Sequence, residues 1–138
     1  MQLDDAYANA AYIEGSEDYP PRWQKAAAAF RKKLVSRGTV VYVHGGYWKA
    51  FAPSDWSHLA AGALSRGYAV AMIGYDLCPD VRISQITGQV ARGLMDIAKR
   101  TQGPISLVGH SAGGQLVARM TDPLVLSGDV RERIASIV

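Results

Sequence analysis

Two kinds of hydrophobic pattern alternate along the chain. Short continuous apolar runs rich in β-branched residues indicate buried strands. They lie at 39–43 (TVVYV), 68–75 (YAVAMIGY), 105–108 (ISLV) and 134–138 (IASIV). Longer segments with apolar residues at helical spacing predict helices at 21–36, 54–66, 84–100 and 111–120. Because strands and helices alternate, the pattern predicts a three-layer α/β/α domain with a mainly parallel sheet.

The 138 residues suffice for one domain and little more. We expect a single domain over 1–138, with an irregular Tyr- and acid-rich arm at 1–20, a helix at 21–36 and a βα core at 39–138. Ser54 is a candidate N-cap for the helix that follows the first strand, and Gly67 would end that helix.

Composition narrows the classes of function. The net charge is +3, but the charges are scattered and the densest basic cluster, 31–33, suits a solvated helix face. No basic stripe with interleaved aromatics predicts a nucleic-acid partner. The chain shows neither a signal-peptide pattern nor an apolar run of about 18 residues, so we expect a cytoplasmic protein without a membrane partner. A single cysteine, Cys78, excludes an intrachain disulfide and a cysteine metal cluster.

A Gly-x-Ser-x-Gly pattern follows the third predicted strand: Gly109-His110-Ser111-Ala112-Gly113. A sharp turn from strand to helix needs small residues where neighbouring backbones meet, and it raises the serine hydroxyl above the sheet. The helix that begins there directs free N–H groups to the same point. The pattern therefore predicts a nucleophilic serine, with a small-residue turn chosen for packing as the alternative.

A second motif, His44-Gly45-Gly46-Tyr47-Trp48, directly follows the first predicted strand. Acyl transfer creates a tetrahedral oxyanion, which backbone N–H donors stabilise. One donor is expected from the residue after the serine and another from Gly46 or Tyr47. A structural, hydrogen-bonded role is favoured for His44. Tyr47 and Trp48 could line a substrate pocket or only pack the loop, and the sequence favours neither.

Three segments together resemble the α/β-hydrolase fold, from about residue 40 onward. They are VYVHGGYW, GYDLCPD and LVGHSAGGQL. The closest resemblance is to the branch of small esterases and kynurenine formamidases, in which the first motif reads His-Gly-Gly-x-Trp and a Tyr-x-Leu-x-Pro turn follows the next strand. The resemblance implies hydrolysis of a small-molecule carboxylic ester or aryl formamide through an acyl-enzyme, with no cofactor and no metal.

Carried over residue by residue, the resemblance implies that Ser111 is the nucleophile. Gly46, Tyr47 and Ala112 would form the oxyanion hole, and His110 would be the non-catalytic residue before the serine. Relatives often form dimers, so a homo-oligomer is a further expectation.

The sequence departs from that family in its catalytic base. The family places its triad in the order Ser, Asp or Glu, then His. No histidine follows His110, and Asp122 and Asp129 come too early to be the acid. We therefore expect the catalytic acid and histidine in sequence absent from this chain, which would hold only the N-terminal part of the fold. The alternative is a non-catalytic fragment or a binding protein that retains the fold. A Cys78 nucleophile is disfavoured because that thiol lies in a different loop.

Overall fold

The computed structural model describes residues 37–138; the arm and helix expected at 1–36 lie outside the described residues. The elements, in chain order, are β1 (Thr39–Val43), a 3-10 helix (Pro53–Ala60), α1 (Ala61–Leu64), β2 (Ala69–Ile73), α2 (Ile83–Arg100), β3 (Ile105–Gly109), α3 (Ala112–Arg119), α4 (Gly128–Arg133) and β4 (Ile134–Ile137). The four strands pair in the order β2-β1-β3-β4, and every pair is parallel. The predicted α/β class with a parallel sheet is confirmed.

Alternate side chains of the strands enter two separate apolar clusters. Val41, Ile73 and Leu107 face the larger cluster, which includes α2, α3 and α4. Tyr42 and Met72 face the opposite side of the sheet and pack against the 3-10 helix and α1. Because successive strand residues point to opposite faces, the continuous apolar runs fill both, and the sheet lies between two helical layers.

Two local features differ from the sequence prediction. The segment after β1 begins as a 3-10 helix at Pro53, and its N-cap is Ala52 rather than Ser54. The Asp55 carboxylate accepts a hydrogen bond from the Ala52 amide at 2.8 Å, which supplies the capping contact. Helix α4 was not predicted, because only Val130 among its six residues is buried and no apolar periodicity exists to detect.

The topology brings the two sequence motifs to one place. Strand β1 lies beside β3 in parallel, and Val43 pairs with Gly109 at their carboxyl ends. The residues that follow, His44 and His110, therefore start their loops side by side, at the edge where ligands bind in sheets of this kind. Within residues 37–138, no helix has the length and apolar character needed to cross a membrane.

Candidate active site

Ser111 lies in a strained turn between β3 and α3. Its backbone has φ 55° and ψ −116°, close to the mirror image of an extended conformation, which only glycine adopts readily. Such a conformation costs about 1–3 kcal/mol and persists only where the surroundings impose it. The serine is exposed, and α3 begins at the next residue. The turn thus presents the hydroxyl to solvent at a helix N-terminus.

The two glycines of the motif are required by close backbone packing. A Cβ on Gly113 would overlap the carbonyl oxygen of Val43 and lie 2.7 Å from that of His44. A Cβ on Gly109 would overlap the carbonyl of Gly113. Packing therefore explains both glycines, as the alternative interpretation proposed. It does not explain why an exposed serine occupies a backbone conformation that favours glycine.

The loop after β1, residues 44–51, contacts this serine turn directly; we call it the glycine loop. A Cβ on Gly45 would lie 2.6 Å from the carbonyl oxygen of His110 and 3.0 Å from Cβ of Ser111. Gly46 has φ 121°, and a Cβ there would lie 2.5 Å from the carbonyl oxygen of Ala50. Both glycines are thus needed for the loop to fold and to approach the serine.

Several backbone amides at this junction have no partner among residues 37–138. Tyr47 and Trp48 have φ 55° and 58°, and the Gly46 carbonyl accepts bonds from the amides of Lys49 and Ala50 at 3.0 and 3.1 Å. Within the described part, the Gly46 and Tyr47 amides donate to no loop or side-chain acceptor. The same holds for Ala112, the first residue of α3. Three amides that could stabilise an oxygen anion therefore lie in the serine turn and in the loop that contacts it.

His44 is buried and hydrogen-bonded beneath the glycine loop. It is 1% exposed, and its Nδ1 lies 2.7 Å from the Gly45 carbonyl oxygen. Because a carbonyl oxygen can only accept, Nδ1 carries the proton. Burial lowers the pKa of His44, an effect partly opposed by the Gly45 bond and by the charge of Asp55. Burial thus favours the neutral form of His44, and its Nε2 has no partner within the described residues.

The aromatic side chains of the glycine loop divide into packed and exposed ones. Trp48 is half-buried against the larger cluster, and its Nε1 donates to Oε1 of Gln115 at 3.3 Å. Tyr47 is 80% exposed and packs little. Phe51, which was not predicted as a site residue, has φ 74°, and its ring lies within 2.7 Å of the position that a Gly46 Cβ would occupy. Nothing in the sequence signals this position.

The ring of Phe51 is the first of three neighbouring aromatic rings that lead to the serine turn. Trp56 lies edge-on to Phe51, with ring centroids 5.5 Å apart, and 6.0 Å from the ring of His110. Phe51 also lines a cavity of about 760 Å³, together with Tyr75, Asp80 and other residues that follow β2. Apolar and polar surfaces therefore both border the site.

The described residues bring no base to the serine. Within residues 37–138, Ser111 Oγ has no hydrogen-bond partner. Asp122 is engaged elsewhere, since it accepts from the Leu124 amide at 2.8 Å and pairs with Arg119 at 3.2 Å. Cys78 is half-buried in the turn after β2, as expected for a packed thiol. No cluster of His, Cys, Asp or Glu suited to a metal ion occurs in this part of the chain.

Comparison with known proteins gives one consistent family. A family model described as alpha/beta hydrolase fold matches residues 40–137. The kynurenine formamidase of Drosophila melanogaster is 36% identical over 84 residues, which cover 58% of this chain and 28% of the fly protein. That of Danio rerio is 32% identical over 92 residues, or 65% of this chain and 30% of the fish protein. The matches thus span less than a third of these relatives.

Solved structures agree in fold. A candidate thioesterase from Silicibacter sp. TM1040 is 51% identical and superimposes with a TM-score of 0.71, covering 99% of this chain and 62% of that one. The apo form of Thermogutta terrifontis esterase 2 shares the fold at 18% identity and a TM-score of 0.55, covering 74% of this chain and 43% of that one.

Proposed function

The chain belongs to the α/β-hydrolase fold family, and from this premise we propose that Ser111 is the nucleophile of a serine hydrolase that cleaves a carboxylic ester or an aryl formamide. The observation that carries the proposal is the contact between an exposed, strained serine and a loop whose Gly46 and Tyr47 amides have no partner among residues 37–138. Strain of this kind concentrates at functional sites.

The proposed reaction passes through an acyl-enzyme. Ser111 Oγ attacks the substrate carbonyl carbon and loses its proton to a general base, and the carbonyl oxygen becomes an anion. The amides of Gly46, Tyr47 and Ala112 would bind that oxygen. The leaving alcohol or arylamine departs with a proton, and water then hydrolyses the acyl-serine. No described side chain reaches Oγ and residues 1–36 contain no histidine, so we place the histidine base and its acid partner outside these 138 residues.

The proposed substrate class is defined by the carbonyl group that the serine attacks and not by one particular leaving group. Two relatives are kynurenine formamidases, and one structural neighbour is a candidate thioesterase. Formamides, esters and thioesters all transfer an acyl group to serine through the same oxyanion. The row formed by Phe51, Trp56 and His110 offers an aromatic surface beside that carbonyl, which favours substrates with an aryl group.

The test is a pre-steady-state assay with 4-nitrophenyl acetate, using the chain, Ser111→Ala and Ser136→Ala. Ser136 is an exposed serine on β4 that bonds to Ser106, so its variant controls for loss of a hydroxyl away from the site. An oxyanion hole and binding alone can accelerate a reaction about 10³–10⁴-fold over water. We therefore expect slow release of one equivalent of nitrophenol in the chain and in Ser136→Ala, without sustained turnover, because nitrophenolate is a good leaving group without a base whereas the serine alkoxide is not.

The controls separate the two parts of the proposal. Release of one equivalent that persists in Ser111→Ala would show that Ser111 is not the nucleophile. Sustained turnover that depends on Ser111 would support Ser111 as the nucleophile but contradict the proposal that the base lies outside the chain. The variants His44→Gln and His58→Gln would then show which histidine is the base. Parallel assays with an aryl formamide and an aryl thioester rank the three substrate classes.

A further inference from the structure

The turn that follows β2, residues 75–79 (YDLCP), lies against the glycine loop, and the proposed reaction gives it no role. We call it the β2 turn. The Tyr75 hydroxyl donates a hydrogen bond to the His44 carbonyl oxygen at 2.7 Å. The Tyr75 ring also stacks on the His44 imidazole, with centroids 4.4 Å apart and planes 10° from parallel. One side chain therefore fixes both the backbone and the ring of His44.

The orientation of His44 controls an amide of the proposed oxyanion hole. The His44 Nδ1–H donates to the Gly45 carbonyl at 2.7 Å. A trans peptide is planar, and its N–H points opposite to its C=O. The Gly45 carbonyl and the Gly46 N–H belong to the same peptide. When His44 holds that carbonyl on its own side, the Gly46 N–H must point to the other side, and Tyr75 keeps His44 in place.

A second contact from the β2 turn holds the loop at Trp48. The Cys78 amide donates to the Trp48 carbonyl oxygen at 2.7 Å. The β2 turn thus holds the glycine loop at His44 and at Trp48, on either side of Gly46 and Tyr47. These two positions contain glycine loop amides that lack partners among the described residues, so the braced section coincides with the section that would contact substrate.

The Tyr75 hydroxyl is suited to remain a donor. Burial, with a smaller effect from Tyr42, raises its pKa to about 12. At neutral pH the phenol is protonated, and its O–H is directed at the carbonyl oxygen of the peptide between His44 and Gly45. A residue that only filled space in the cluster beneath the loop would need the ring but not the hydroxyl.

We propose that Tyr75 is a positioning residue, which sets the direction of the Gly46 N–H through His44. Its effect on rate rests on the proposed function, whereas its effect on loop geometry does not. Tyr75 touches no reacting atom in this scheme. It acts on the energy of the oxyanion and not on the affinity for the ground-state substrate.

The test compares Tyr75→Phe, which keeps the stacked ring and removes the hydroxyl, with Tyr68→Phe. The guanidinium carbon of Arg37 lies over the Tyr68 ring, 5.6 Å from the ring centroid. Tyr68→Phe therefore serves as a matched control away from the loop. Two readouts are used, at a temperature where circular dichroism shows all variants folded. They are the ¹H–¹⁵N signals and exchange rates of the Gly46 and Tyr47 amides, and the rate of Ser111 acylation by 4-nitrophenyl acetate.

We expect Tyr75→Phe to shift the Gly46 signal, to speed exchange of its amide and to slow acylation about 10-fold, less than the 10²–10³-fold loss of a whole oxyanion-hole donor. The ester concentration at half-maximal rate should stay constant, and Tyr68→Phe should match the parent chain. Unchanged Gly46 signals in Tyr75→Phe would overturn the proposal, whether or not the rate falls, because any loss of rate would then have another cause.

The NMR readout also separates this inference from the proposed function. If Ser111→Ala retains the release of one equivalent of nitrophenol, the proposed nucleophile fails while the Gly46 signals still report on Tyr75. Should Tyr75→Phe not fold, His44→Gln replaces it, since it removes the stacked ring that Tyr75 orients. Gly46 signals that stay unchanged in His44→Gln would overturn the proposal equally.

Discussion

The serine turn and the glycine loop meet at one point, yet they are held in different ways. The serine turn is fixed by steric contact, because Gly113 presses against the backbone of β1. The glycine loop is open to solvent at Tyr47 and Phe51 and is held by hydrogen bonds from the Lys49, Ala50 and Cys78 amides and the Tyr75 hydroxyl. The turn is therefore packed into the fold, whereas the loop is held on its surface mainly by hydrogen bonds.

This difference predicts where substitutions act. A change in the turn should alter the free energy of unfolding first, because β1, β3 and α3 pack together through it. A change at the section of the loop around Gly46 and the exposed Tyr47 should alter reaction rate first, since few buried contacts depend on that section. The following predictions test that contrast, beginning with the largest effect.

Gly113→Ala should destabilise the chain by about 3 kcal/mol or more, since its Cβ would overlap the Val43 carbonyl and neither backbone can retreat without disturbing the sheet. Gly114→Ala is the control at the adjacent helical position, where the nearest atom to a Cβ is 3.6 Å away. It should be neutral or stabilising by up to about 1 kcal/mol. Urea denaturation measures both, and equal losses would contradict the steric account of the turn.

Gly46→Ala should slow acylation of Ser111 about 100-fold, as expected for loss of an oxyanion-hole donor, while the free energy of unfolding falls by only about 1–2 kcal/mol. The reason is that φ 121° and the Ala50 carbonyl at 2.5 Å force the loop to move. Gly103→Ala is the control, because its φ is 84° and no atom lies within 4 Å of a Cβ there. A fall in stability without a fall in the acylation rate would contradict the expected difference between the loop and the serine turn.

Ser111→Gly should be more stable than Ser111→Ala by about 1 kcal/mol. Alanine retains the cost of φ 55° and ψ −116°, whereas glycine relieves it and loses part of the gain to its greater freedom in the unfolded chain. Neither variant has a hydroxyl, so the comparison isolates backbone strain. Equal urea midpoints for Ser111→Gly and Ser111→Ala would show that the turn stores no backbone strain.

The smallest effect expected is a pH dependence of stability from His44. Burial depresses the folded-state pKa of His44 below its usual 6.5, so the unfolded chain binds more protons as the pH falls through that value. The resulting loss of stability begins near pH 6.5 and ends below the folded-state pKa. His44→Gln should lose less stability than the parent chain between pH 7 and 5. Parallel pH profiles would contradict a buried neutral histidine.

The sequence predicted the strands well because continuous apolar runs leave few alternatives. It placed β1 and α2 within one residue of their observed ends. It missed α4, which buries one side chain, and it assigned the wrong cap to the segment at Pro53, because a carboxylate two residues on reaches back to Ala52. Patterns of burial are visible in a sequence, whereas single polar contacts of this kind are not.

The candidate site shows the same division. Gly109, Ser111 and Gly113 were predicted from their spacing between a strand and a helix, since the steric demands of such a turn select small residues. Two features had no readable signal: the positive φ of Phe51 and its position over Gly46. The Tyr75–His44 contact joins residues 31 positions apart and became visible only when β1 and β2 were paired.

Peptide mapping after brief exposure to 4-nitrophenyl acetate would show whether Ser111 is the nucleophile. We expect an acetyl group on the peptide that contains Ser111, formed in the parent chain and in Ser136→Ala and blocked when guanidinium unfolds the protein. An acetyl group distributed over lysine side chains, with none on Ser111, would contradict the claim that this turn presents a nucleophile.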